Sequence, residues 1–239
     1  MSKHITTGQV KRLLEIDSEG HGIGEEVQEL ILRVTSGGVV GSADDLRIIQ
    51  AKRYWDMGVG RVLGKKSFKE FLDAIPGVPV ALRAGDQRFP YLVLVEPRIG
   101  LAELCKVGNI GFAGDDQTFV PYDARHADAS CPSWIRIQDG RKNRNRRPSE
   151  CHESFVKDEL GLTALQGICT YLQDSAVVTD LKHGPGGHAM DLPGSFYRGS
   201  RVGYACLGIE DGQAKLSWSM NGLACSRFGS ASRREYEAL

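Results

Sequence analysis

The densest charge in this 239-residue chain is a run holding Arg136, Arg141, Lys142, Arg144, Arg146 and Arg147 around a single acid, Asp139, and closed by Pro148. Cations at that density suit phosphate recognition, because each phosphate they neutralise releases counterions and makes binding salt-dependent. Trp134 and Tyr122 offer flat rings of the kind on which single-strand binders stack bases. The plainer account is a solvated loop whose arginines pair with Glu150, Glu153, Asp158 and Glu159, as charge runs commonly do. The expected function is a non-enzymatic module contacting nucleic acid or another polyanion through this loop, with Arg233 and Arg234 extending the patch.

Catalytic constellations are sparser. Asp123, Asp128 and Asp139 flank the stretch Ser133 to Gln138, and carboxylates at strand ends beside Lys142 could hold a divalent ion for phosphodiester hydrolysis. Such aspartates equally form turns, as Asp139-Gly140 would. Cys151 and His152 are adjacent, and helical neighbours point about 100° apart, so a nucleophile at Cys151 would need a remote histidine. Ser195 has one glycine of a nucleophile elbow but lacks the second glycine and a preceding strand, and it is expected in a tight turn. The segment Gly58 to Ser67 imitates a phosphate-binding loop, but Gly60 and Gly64 enclose three residues instead of four, and Lys66 stands where the hydroxyl belongs. Cys131, Cys151, His126, His152, His183 and His188 are scattered, with His183 and His188 expected as solvated groups of a glycine-rich loop. Neither a metal site nor a cofactor is expected.

The elements that must carry these residues follow from periodicity. Val10, Leu13, Leu14 and Ile16 share a helical face, and Val27, Leu30, Ile31 and Val34 repeat the spacing after a glycine-rich break, so residues 1–40 read as a helical appendage able to dock on a protein partner. Residues 41–239 form the main domain. Ser42 caps a helix carrying Leu46, Ile48, Ile49 and Tyr54, and Ser67 to Glu70 fits a capping box closed by Pro76-Gly77. Tyr91 to Val95 is a continuous apolar run of strand length and is expected as a central strand, and Ser133 to Gln138 alternates as a strand. Thr163 to Gln166 is a second capping box, heading a helix with Leu165, Ile168, Cys169 and Leu172 on one stripe. Val202 to Ile209 and Gln213 to Ser219 flank Glu210-Asp211-Gly212 as a hairpin. Helices early and strands late, without strand–helix alternation, predict an α+β fold with a small mixed or antiparallel sheet and a C-terminal hairpin.

Thirty basic and thirty acidic side chains cancel, so no whole-molecule field draws the chain to a polyanion and any such contact must be local. With 41% hydrophobic and 25% charged residues the chain is expected to fold on its own. No run reaches the 18 or so apolar residues of a membrane helix, and the six dispersed cysteines read as reduced core residues, which together place the chain in the cytoplasm as an expectation.

Trp134-Ile135-Arg136-Ile137-Gln138-Asp139-Gly140-Arg141-Lys142, the stretch Asp158 to Ile168, Met190-Asp191-Leu192-Pro193-Gly194-Ser195, and Phe228-Gly229-Ser230-Ala231-Ser232-Arg233-Arg234 resemble an uncharacterised bacterial family, a domain of unknown function, over roughly residues 45–235. The resemblance implies bacterial ancestry and brings no catalytic residues with it.

Overall fold

The computed structural model describes residues 43–179, 188–200, 202–220 and 224–235. The helical appendage expected over residues 1–40 lies outside them, as does His183. Among the described residues none forms a helix long and apolar enough to cross a membrane.

The first described helix, α1 (Ala43–Asp56), is followed by short helices α2 (Val59–Val62), α3 (Phe68–Asp73) and α4 (Val80–Arg83). Ser67 caps α3 by accepting from the Glu70 amide. Strand β1 (Tyr91–Val95) is the edge of a four-stranded antiparallel sheet, ordered β1, β3 (Ser133–Gln138), β9 (Ser232–Arg234), β4 (Glu159–Gly161). An unpaired edge leaves backbone groups without partners. Here α1 covers it: the Gln50 amide donates to the Leu92 carbonyl and accepts from the Leu94 amide, both at 2.7 Å, and Tyr54 donates to the Leu94 carbonyl at 2.8 Å.

The second sheet has five strands, in the order β2 (Phe119–Pro121), β5 (Ala189–Tyr197), β6 (Gly203–Glu210), β7 (Gln213–Met220), with β8 (Phe228–Ser230) parallel to the start of β5. The expected hairpin joins β6 to β7, and Asp211 and Gly212 both adopt positive φ (51° and 78°), the backbone that a two-residue turn needs to match strand twist. Between the sheets' sequences lie α5 (Gly100–Val107) and α6 (Pro148–Ser154).

Helix α7 (Ala164–Gln173) is the hub, touching β1, β5, β6, α1 and α5. Its capping box is complete: Thr163 Oγ1 accepts from the Gln166 amide at 3.2 Å, and Gln166 Oε1 accepts from the Thr163 amide at 3.3 Å. Leu165, Ile168 and Cys169 are buried against Leu94, Leu192 and Leu207 in one apolar core.

Three expectations are overturned, the first being that β1 lies at the edge of its sheet and not in the centre, its apolar run buried because α1 covers the free side. Ser195 is not in a tight turn but inside β5, where a bulge between Leu192 and Phe196 accommodates Pro193, and its Oγ accepts from the Ala164 amide at 2.9 Å. His188 is not solvated: it is fully buried at the mouth of β5.

Candidate functional site

The basic loop leaves β3 through a turn at Asp139-Gly140 and lies across β8. Gly140 has φ of 86°, and its carbonyl lies so close to Gly229 that a Cβ at Gly229 would stand 2.1 Å from it. No side chain fits at that crossing. Three hydrogen bonds then pin the loop: Asn143 Nδ2 to the Ser230 carbonyl at 2.7 Å, the Asn145 amide to the Cys225 carbonyl at 3.1 Å, and Arg144 Nε to His188 Nδ1 at 3.1 Å.

The His188 tautomer follows from its partners. Nε2 lies 2.8 Å from the Asp139 carbonyl, which can only accept, and Arg144 can only donate, so His188 is neutral with its proton on Nε2. Burial first, and then the nearby Arg144 charge, lower its affinity for a second proton.

The six cations have different surroundings. Arg136 is 7% exposed and donates to the carbonyls of Leu82 and Phe89, so its guanidinium belongs to the interior. Arg141 is half-buried, bonded to the Asp139 carboxylate and the Ala176 carbonyl. Arg146 donates to the Glu150 carbonyl and Ser154 Oγ, and Arg147 lies 3.9 Å from Glu150. Lys142 and Arg147 are exposed, and so is Arg227 on the turn that supports the loop, a cation that the linear charge run did not include. Arg233 and Arg234 sit on β9, engaged with the Arg125 carbonyl and with Asp86 and Asp158.

Beside the loop is a cavity of about 250 Å³ lined by Pro148, Asp191, Ser219, Met220, Cys225 and Phe228. Strand register sets Asp191 in a row: Ser230 on β8, Asp191 on β5, Cys206 on β6 and Ser217 on β7 are successive cross-strand partners, which places their side chains on one face of the sheet. Asp191 is 2% exposed, and among the described residues no hydrogen-bond donor or cation acts on its carboxylate. Burial alone pushes its carboxyl up from 3.8 to about 7. Ser230 is buried at the end of this row, and Cys151 on α6 lies close enough to feel Ser230, Arg146 and Asp191. Asp191 was missed from the sequence. The available signal was a lone carboxylate between Met190 and Leu192 in an otherwise apolar run.

The three aspartates considered as metal ligands have separate partners. Asp123 accepts from His126 Nδ1 at 2.8 Å; partial burial raises its carboxyl, but hydrogen bonds from His126 and Arg125 outweigh that and hold it at about 2. Asp128 accepts from Thr163 and Gln166, and Asp139 from Arg141 and Tyr91. Among the described residues no three His, Cys, Asp or Glu side chains converge as a metal site would require. Cys151 and His152 diverge on α6: the thiol faces the Asn143 carbonyl, while the imidazole packs at a tilt against Tyr122 with ring centroids 3.9 Å apart. His126 Nε2 and His152 Nδ1 are both buried without a partner, their rings 5.4 Å apart. The segment Gly58 to Ser67, which imitates a phosphate-binding loop in sequence, contains helix α2.

Comparison of the chain with protein-family models, with curated proteins and with solved structures returned no match.

Proposed function

We propose that this protein binds nucleic acid, through the loop Arg141, Lys142, Arg144, Arg146 and Arg147 together with Arg227. The observation that supports this reading is the pinning of the loop on β8. A cation array held by its backbone loses less freedom on meeting phosphates than one carried by a mobile segment. Lys142, Arg147 and Arg227 are exposed on it, and Arg144 is aimed by a neutral histidine. Arg136 contributes to the fold beneath the loop and not to its surface.

Anisotropy titration of labelled single- and double-stranded DNA and RNA over a salt series tests the reading. Affinity should fall linearly in log salt, and the variant Lys142→Gln, Arg147→Gln, Arg227→Gln should lose about 2–3 from the slope, since each phosphate contact contributes about 0.7–0.9. Absence of binding at low salt, or a slope that the variant leaves unchanged, overturns it.

A further inference from the structure

We propose that the Asp191 cavity receives one guanine base of a nucleic acid whose phosphates lie on the adjoining cationic loop. This rests on the polyanion reading and adds a base preference to it.

Proximity comes first. Pro148 in the cavity wall follows Arg147 directly, the Cys225 carbonyl in the same wall accepts from Asn145, and Phe228 precedes Gly229, to which Arg144 is bridged. A strand whose backbone follows the loop therefore passes the cavity mouth, where Met220 is 63% exposed.

Size and chemistry narrow the occupant. At about 250 Å³ the cavity falls just below the range of about 300–1,000 Å³ typical of ligand sites, room for a ring and not for a whole nucleotide. Pro148, Met220 and Phe228 give it apolar walls, and an aromatic ring such as Phe228 offers a base a stacking surface. Its polar content is Ser219 and the Asp191 carboxylate, a buried acceptor pair for which the described residues supply no donor. Leaving such a group without a partner costs stability, and a ligand carrying donors offsets the cost.

A divalent ion needs several anionic or metal-ligating groups, and Asp191 is the only carboxylate among the described lining residues, which points to a neutral donor edge. Among the bases, guanine alone presents two adjacent donors, N1–H and the 2-amino group, to match the two oxygens of an ionised carboxylate. Adenine and cytosine place a ring acceptor beside their amino group, and uracil and thymine flank their single N–H with carbonyls. Each of these would set a lone pair against a carboxylate oxygen. A protonated Asp191 would instead suit adenine or cytosine, so the base preference reports which form the site uses. With burial pushing the Asp191 carboxyl up to about 7, pH 8 favours the ionised form.

The experiment uses the full chain at pH 8 and single-stranded DNA oligonucleotides that differ at one central position: guanine, inosine (which lacks the 2-amino group), adenine, cytosine or thymine in a thymine background. Guanine should bind about tenfold more tightly than adenine, cytosine or thymine, with inosine weaker than guanine. Asp191→Asn should abolish this preference while leaving the salt slope intact. Salt-dependent binding with guanine and inosine equal, or with adenine or cytosine preferred, overturns the inference and leaves the polyanion reading standing. No binding of any oligonucleotide at low salt removes both. The guanine–inosine comparison uses the unaltered chain, so the inference can fail even if Asp191→Asn does not fold.

Discussion

Replacing Asp191 with asparagine should stabilise the protein at pH 8 relative to pH 5. Between 3.8 and about 7 the folded chain holds a proton on Asp191 that the unfolded chain has released. Wild-type stability therefore falls as pH rises through that window and levels off above it. At about 1.4 kcal/mol per pKa unit, raising this carboxyl costs the fold at most about 4 kcal/mol once the group is ionised, of which about 3 kcal/mol accrues between pH 5 and pH 8. Asparagine keeps the shape and carries no charge, so it escapes this term. Its amide has its own desolvation cost of about 1–3 kcal/mol, which is the same at both pH values. The stability difference between variant and wild type should thus move by about 3 kcal/mol in the variant's favour, or about 1 M in urea midpoint for a chain of this size. Urea titrations followed by Trp55, Trp134 and Trp218 fluorescence at the two pH values measure it, and other titrating groups cancel in the comparison. A difference independent of pH would refute the reasoning, because it would mean that the carboxylate has a cation or donors in the folded protein.

Gly229→Ala should lower stability by about 3 kcal/mol, read as a fall in melting temperature, since its Cβ would meet the Gly140 carbonyl and both sides of that contact are backbone. For His126 and His152, burial, the leading cause, lowers the affinity for a proton in the folded state, so they withdraw stability as pH falls below about 6.5. His152→Phe keeps a ring against Tyr122 and removes one orphaned nitrogen, and its melting temperature should drop less than that of wild type between pH 7 and pH 5.

What could be read in advance was local. The Thr163–Gln166 box and the Asp211-Gly212 turn each satisfy their own backbone within a few residues, so type and spacing declare them. The same holds for β1, whose run of five apolar residues needs no partner to be noticed. Strand β5 was hidden because Pro193-Gly194 looks like a turn, and only the neighbouring strands convert that pair into a bulge. Strands β8 and β9, at three residues each, carry no periodicity and exist through pairing with β5, β3 and β4. The candidate site divides in the same way. Its cations formed a linear run, whereas Asp191, Ser230 and Arg227 come together with that run through strand pairing across long stretches of chain. His188 was misjudged from its glycine-rich neighbours, which say nothing of the Asp139 carbonyl that buries it.

The segment Phe228 to Arg234 runs from one sheet into the other with Ala231 between, and this sets a timetable for synthesis. Strand β9 sits between β3 and β4, so neither β4 nor the end of β3 has its neighbour until the ribosome has made Ser232. Pairings separated by about a hundred residues of intervening chain form slowly, because loop closure must precede any gain from contact. A nascent chain paused before residue 228 would expose the Ile137–Gln138 edge and the Ala189–Asp191 edge of β5 that β8 pairs with, and such edges recruit other strands. The cationic loop lies over β8 and is fastened to Ser230, so the proposed binding surface is completed late in the same sequence of events. A chain with an unfinished fold would also lack the proposed site.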